Sequence, residues 1–141
     1  MVEGPAEGGA ERLQRLALAA SALVMAATGL WMMIDPKGWY AATPGVVETG
    51  PMNLHFIRDL AAAFLTFSIG LLFAIPPLPA RFALATLAAI FAVLHALIHL
   101  FDAFSPGGHP IQPAEGVAVF GAAALATAVA LWLFPKRRKR P

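Results

Sequence analysis

The residues of this chain with the most chemical potential stand inside apolar stretches. In His95-Ala-Leu-Ile-His99-Leu-Phe-Asp102 two imidazoles are four residues apart and a carboxylate follows three later, so on a helix all three share one face. In His55-Phe-Ile-Arg58-Asp59 an imidazole and a carboxylate are again four apart. Imidazoles at that spacing can grip one transition metal from a single helical turn, with further ligands from a second helix. Imidazole suits Zn, Cu, Fe and Ni, and added carboxylates favour Fe, Mn or Zn over Cu(I). The expected ligand set is His55, Asp59, His95 and His99, with Asp102 beside them. Zinc-peptidase chemistry is not expected, because no Glu follows His95.

The same residues allow other chemistry. Haem b needs one axial histidine from each of two helices, such as His55 with His95 or His99, and leaves one imidazole spare. A quinone or proton-coupled site would use Asp59 and a histidine to handle protons, while Arg58 binds a carbonyl-bearing or anionic ligand or neutralises Asp59. The plainer alternative is that these groups lie near the interface, reach the lipid headgroups and tie neighbouring helices together.

The elements that position them follow from composition. The 141 residues are 59% hydrophobic and 13% charged, against roughly 45–50% and about 25% in soluble domains. That balance excludes an ordinary soluble enzyme and points to a single-domain integral membrane protein. The apolar residues fall in four runs that predict helices over about 12–34, 54–75, 80–101 and 115–134, each long enough for a hydrocarbon core of about 30 Å. Pro76, Pro77 and Pro79 stop the second run and Pro135 stops the fourth. The runs are rich in Ala and Leu and lack strand alternation, so the expected fold is all-α, a four-transmembrane-helix up-down-up-down bundle. Residues 1–11 read as a disordered tail. The first run is too long, and Glu3, Glu7 and Glu11 before it too acidic, for a cleaved signal peptide.

Orientation follows from the cations. Arg12, Arg15, Arg81, Lys136, Arg137, Arg138, Lys139 and Arg140 fall on one side of the spans, and only Lys37 and Arg58 on the other. The positive-inside rule then puts both termini in the cytoplasm of a membrane that the chain crosses several times. The basic tail at 136–141 sets topology and attracts anionic membrane lipids rather than nucleic acid. Small-residue seams, Ala62-Thr66-Gly70 behind His55 and Asp59 and Ala88-Ala92 behind His95, are expected to bring the second and third helices together and both polar stripes to one locus at the outer end. Such seams also suit a homo-oligomer or an accessory subunit docked on a larger membrane complex. A transporter fits less well, because the chain lacks an inverted repeat and the cytoplasmic half of its spans lacks polar residues.

Between the first two helices runs a segment punctuated by Asp-Pro, Lys-Gly, Pro-Gly and Gly-Pro and closed by Asn53, an N-cap residue. Trp39 and Tyr40, with Trp31, form an aromatic belt at the interface. Alternatively the segment folds over the outer end as a lid, setting an aromatic wall beside the histidines and any bound ligand. Asp35 is read as capping the end of the first helix, and Asp35, Glu48, His109 and Glu115 otherwise as ordinary solvated loop residues.

Three stretches carry a family resemblance: Trp39-Tyr40-Ala-Ala-Thr43-Pro44-Gly45-Val46; Gly50-Pro51-Met-Asn53-Leu-His55-Phe56-Ile57-Arg58-Asp59; and His95-Ala96 through His99 to Asp102. Together they resemble a group of small bacterial four-helix membrane proteins, similar in plan to the DoxX-like set. The resemblance spans Leu16 to about Phe134 and is strongest in the long loop and second helix. DoxX-like proteins are associated with quinone-linked oxidoreductase complexes, so the resemblance implies a redox or quinone role. It transfers no catalytic residue.

Overall fold

The computed structural model describes residues 5–106, 108 and 110–134. The basic tail at 136–141 and His109 lie outside the described residues. Among the described residues five helices form: α1 (Pro5–Ile34), α2 (Pro36–Ala42), α3 (Leu54–Phe73), α4 (Arg81–Phe104) and α5 (Pro113–Trp132), with a 3-10 turn at Val47–Thr49. All but α2 are long and apolar enough to cross a membrane, and no strand occurs among the described residues. The fold is the expected all-α, four-helix membrane bundle.

Helix ends sit where their chemistry puts them. Asn53 accepts from the backbone N–H groups of His55 and Phe56, both at 3.1 Å, and so starts α3. Pro76, Pro77 and Pro79 follow its end. Two elements differ from expectation. α1 begins at Pro5 rather than near residue 12, so the segment expected to be a disordered tail is helical from that point. Proline is tolerated in a first helical turn, and Glu11 fixes this stretch by pairing with Arg15 at 3.0 Å and with Arg81 of α4 at 3.1 Å. The long loop contains α2, whose N-cap is Asp35, its Oδ1 accepting from Gly38 N at 2.9 Å, with Pro36 in the first turn. Asp35 thus starts α2 rather than serving only to end α1.

Sequential spans pack as neighbours. α1 lies most extensively on α3 and α4 on α5, while α3 meets α4 over a smaller area and α1 meets α5 over few residues. The buried positions are mostly small: Ala85, Ala88, Ala89, Ala92 and Ala96 on α4 face Ala123, Ala126 and Ala130 on α5 within one cluster. Large apolar side chains point outward, as Leu23 and Phe101 do. This arrangement suits a lipid solvent, where burying a Leu has little advantage and close backbone approach provides the packing. Buried Ser68 ties α3 to α1 by donating to the Ala22 carbonyl at 2.9 Å.

Gly29 marks a close approach of α1 to α3. A Cβ there would lie 2.9 Å from Leu65 Cγ and 3.1 Å from both the Ala61 carbonyl oxygen and Phe64 Cβ. Gly29→Leu is therefore expected to prise the pair apart and destabilise the bundle by about 1–3 kcal/mol, the usual cost of overpacking. Reversible unfolding in mixed detergent checks this, with exposed Leu30→Ala as the control that should change little.

Candidate functional site

Phe91, Ala92, His95 and His99 line one face of α4 and border a cavity of about 370 Å³ at the end of the bundle that carries the 35–53 loop. α1 contributes Val24, Thr28 and Trp31, α3 contributes Leu60 and Phe64, and α5 contributes Glu115, Ala118 and Ala122. Phe91 is about 20 Å along the helix from Phe104, so the cavity reaches towards the middle of the bundle. Its walls are overwhelmingly apolar and aromatic, and its ionisable members are His95, His99 and Glu115.

His99 is the hinge of the polar cluster. Its Nδ1 donates to Glu115 Oε1 at 2.7 Å, and Glu115 Oε2 accepts from the Gln112 backbone N–H at 3.1 Å. The Glu115 side chain is 2% exposed and that of His99 20%. A buried carboxylate survives only when its oxygens are occupied, and Glu115 meets that requirement from two directions. In a neutral ring that donates from Nδ1, His99 keeps its lone pair on Nε2. The His95 ring lies 4.8 Å from the His99 ring, edge to face, with Phe64 at 5.9 Å and Phe91 at 6.0 Å. His95 makes no hydrogen bond among the described residues.

The loop closes over this cluster. Trp39, Thr43, Pro44 and Val46 all line the cavity, so the loop acts as a lid with an aromatic wall. Gly45, with φ +83°, brings its backbone against the Glu115 carboxylate: a Cβ there would lie 2.5 Å from Oε2. Only glycine combines that dihedral with that approach. Tyr40 stands behind the wall, packed on the cluster of Met32, Ile57 and Ala61, and its hydroxyl donates to the Gly50 carbonyl.

His55 and Asp59 are not part of this cluster. They pair with each other at 3.4 Å, with side chains 89% and 64% exposed. Arg58 is exposed as well and forms no ion pair with Asp59; the carboxylate is held by His55. The buried face of α3 is Ile57, Ala61, Ser68 and Leu71. At 100° per residue that face lies about 180° from the Ala62-Thr66-Gly70 seam, whose Ala62 and Thr66 are exposed while Gly70 alone meets α4, at Leu84. Ala88 and Ala92 are buried as expected. Phe64 meets His95 where His55 and Asp59 were expected. Asp102 lies on α4 beyond His99 and does not border the cavity. Among the described residues no three His, Cys, Asp or Glu side chains are grouped to hold a metal ion.

No family model, curated protein or solved structure matches the chain. The functional reading therefore rests on the geometry. Glu115 is the residue that sequence reasoning missed, and its signal was local: Gln112-Pro-Ala-Glu115 is a helix-start pattern with Glu at the third helical position, forming a capping box. A carboxylate fixed at that position sits beside whatever the preceding helix presents at its own end, which here is His99.

Proposed function

We propose that this protein binds a small, flat, largely apolar molecule with a carbonyl or hydroxyl head, of the quinone or quinol class, in the outer half of a bacterial cytoplasmic membrane. The observation that carries the reading is the conjunction of a lipid-depth cavity of about 370 Å³ walled by Trp31, Trp39, Phe64 and Phe91 with one polar locus, His95 and His99–Glu115. Ligand sites typically occupy 300–1,000 Å³ and combine apolar walls with a few fixed polar groups. A quinone ring would stack between the aromatic walls while His95 donates to its carbonyl and the His99 Nε2 lone pair accepts from a quinol hydroxyl. Glu115 would stabilise the imidazolium whenever His99 takes a proton from a quinol hydroxyl. The sparse contact between α1 and α5 offers an isoprenoid tail a route into lipid. The quinone association implied by the DoxX-like resemblance agrees with this chemistry.

A short-chain ubiquinone analogue added to the detergent-purified protein should quench Trp31 and Trp39 saturably, with Trp132 at the opposite end as an internal reference. Each of His95→Ala and His99→Ala is expected to weaken binding about tenfold or more, the worth of a hydrogen bond to a charged or polarised head. The His55→Ala, Asp59→Ala double variant should bind like the parent. Absence of saturable quenching, or equal loss in that double variant, would sink the proposal. Elemental analysis of the same samples tests the metal reading: a stoichiometric ion lost with His95 and His99 would replace the quinone by a metal centre.

A further inference from the structure

At the opposite end of the bundle a second cavity of about 410 Å³ is bordered by Gln14 of α1, Pro77, Leu78 and Pro79 of the α3–α4 turn, Arg81 and Phe82 of α4, and the end of α5. Arg81 is the unusual member. Its side chain is 9% exposed, its Nη1 donates to Glu11 Oε1 at 3.1 Å, and its Nε and Nη2 are buried without a hydrogen-bond partner among the described residues. Glu11 is shared with Arg15, so two guanidinium groups draw on one carboxylate and a positive charge is left over. A buried donor with no acceptor costs about 1–3 kcal/mol, more when charged, and is expected to find an ion.

The backbone points to the same sign. Arg81 is the first residue of α4, and the N-cap Ala80 supplies no side-chain acceptor. The Arg81 N–H is taken by the Leu78 carbonyl and that of Leu84 by Ala80, whereas those of Phe82 and Ala83 have no partner among the described residues. The first residues of a 24-residue helix, Arg81 and Phe82, thus border the cavity and bring to it the positive end of the helix dipole.

We propose that this cavity is a phosphate site, with Arg81 as the bidentate anchor and the free Phe82 N–H as a second donor. The forked guanidinium matches two phosphate oxygens. The phosphate is either that of an anionic phospholipid headgroup or inorganic phosphate. The site is independent of the quinone cavity, which lies at the other end.

Native mass spectrometry of the delipidated full chain, titrated with phosphatidylglycerol and separately with inorganic phosphate, tests it. One tightly held adduct is expected. Arg81→Gln should lose it by about tenfold or more relative to the exposed control Arg12→Gln, as removal of a charge-assisted pair does. Retention of lipid in excess inorganic phosphate assigns the headgroup; displacement assigns the free anion. Glu11→Gln removes the competing carboxylate, so it should bind phosphate several-fold more tightly even though it removes an ion pair; loss of stability alone would not produce that gain. Equal retention by Arg81→Gln and Arg12→Gln, or unchanged or weaker binding by Glu11→Gln, overturns the proposal.

Discussion

Glu115→Ala is expected to be the most damaging single substitution in this protein, lowering stability by about 3 kcal/mol and abolishing quinone binding. The carboxylate is 2% exposed and holds His99 Nδ1 at 2.7 Å and the Gln112 N–H at 3.1 Å. Truncation leaves an imidazole N–H and a backbone N–H without an acceptor and opens a void beneath the lid, and breaking a buried pair typically costs about 3–5 kcal/mol. Glu115→Gln separates the contributions. The amide keeps the volume and one acceptor oxygen, so most stability should survive, while the lost charge no longer supports a protonated His99 and quinol binding should still fall. Unfolding in mixed detergent measures the first quantity and Trp quenching the second. Equal stability of Glu115→Ala and the parent would show that the His99–Glu115 contact contributes nothing to the fold.

The sequence carried the four spans because each is a long apolar run closed by proline or charge, and lipid imposes helices on such runs. It carried the polar face of α4 for the same reason: His95 and His99 share a face with Ala88 and Ala92, and that face is buried. It failed on α3. Ala62, Thr66 and Gly70 form as credible a seam as Ile57, Ala61 and Ser68, and preferring the first of these opposite faces rests on the assumption that His55 and Asp59 must turn inward. Those two occupy the first turns of the helix, where a side chain can reach the interface without crossing hydrocarbon, so the assumption has little energetic force. The partner of His99 was hidden differently. Glu115 stands in the first turn of α5, a position where acids are common for helix-dipole reasons alone, and nothing in the sequence distance of 16 residues announces the contact.

Gly45→Ala is the second substitution expected to have a large effect, because it strikes lid and site together. A residue at φ +83° with a Cβ incurs about 1–2 kcal/mol of backbone strain, and here the added carbon would also stand 2.5 Å from Glu115 Oε2. One of the two must move. If the loop lifts, Trp39 and Thr43 leave the cavity wall; if the carboxylate moves, His99 loses its partner. Either way quinone affinity should drop about tenfold or more, by the same reckoning as removal of the hydrogen bond itself. Gly50→Ala supplies the comparison. Gly50 has φ +128°, and a Cβ added there would meet nothing within 4 Å, so alanine strains the backbone without touching the site. Gly50→Ala should therefore lose about 1–3 kcal/mol for its dihedral alone, Gly45→Ala at least as much because of the added clash, and only Gly45→Ala should lose ligand affinity. Equal affinities for Gly45→Ala and Gly50→Ala would mean that the lid does not position Glu115, and the loop would revert to an interfacial cover with no part in the site.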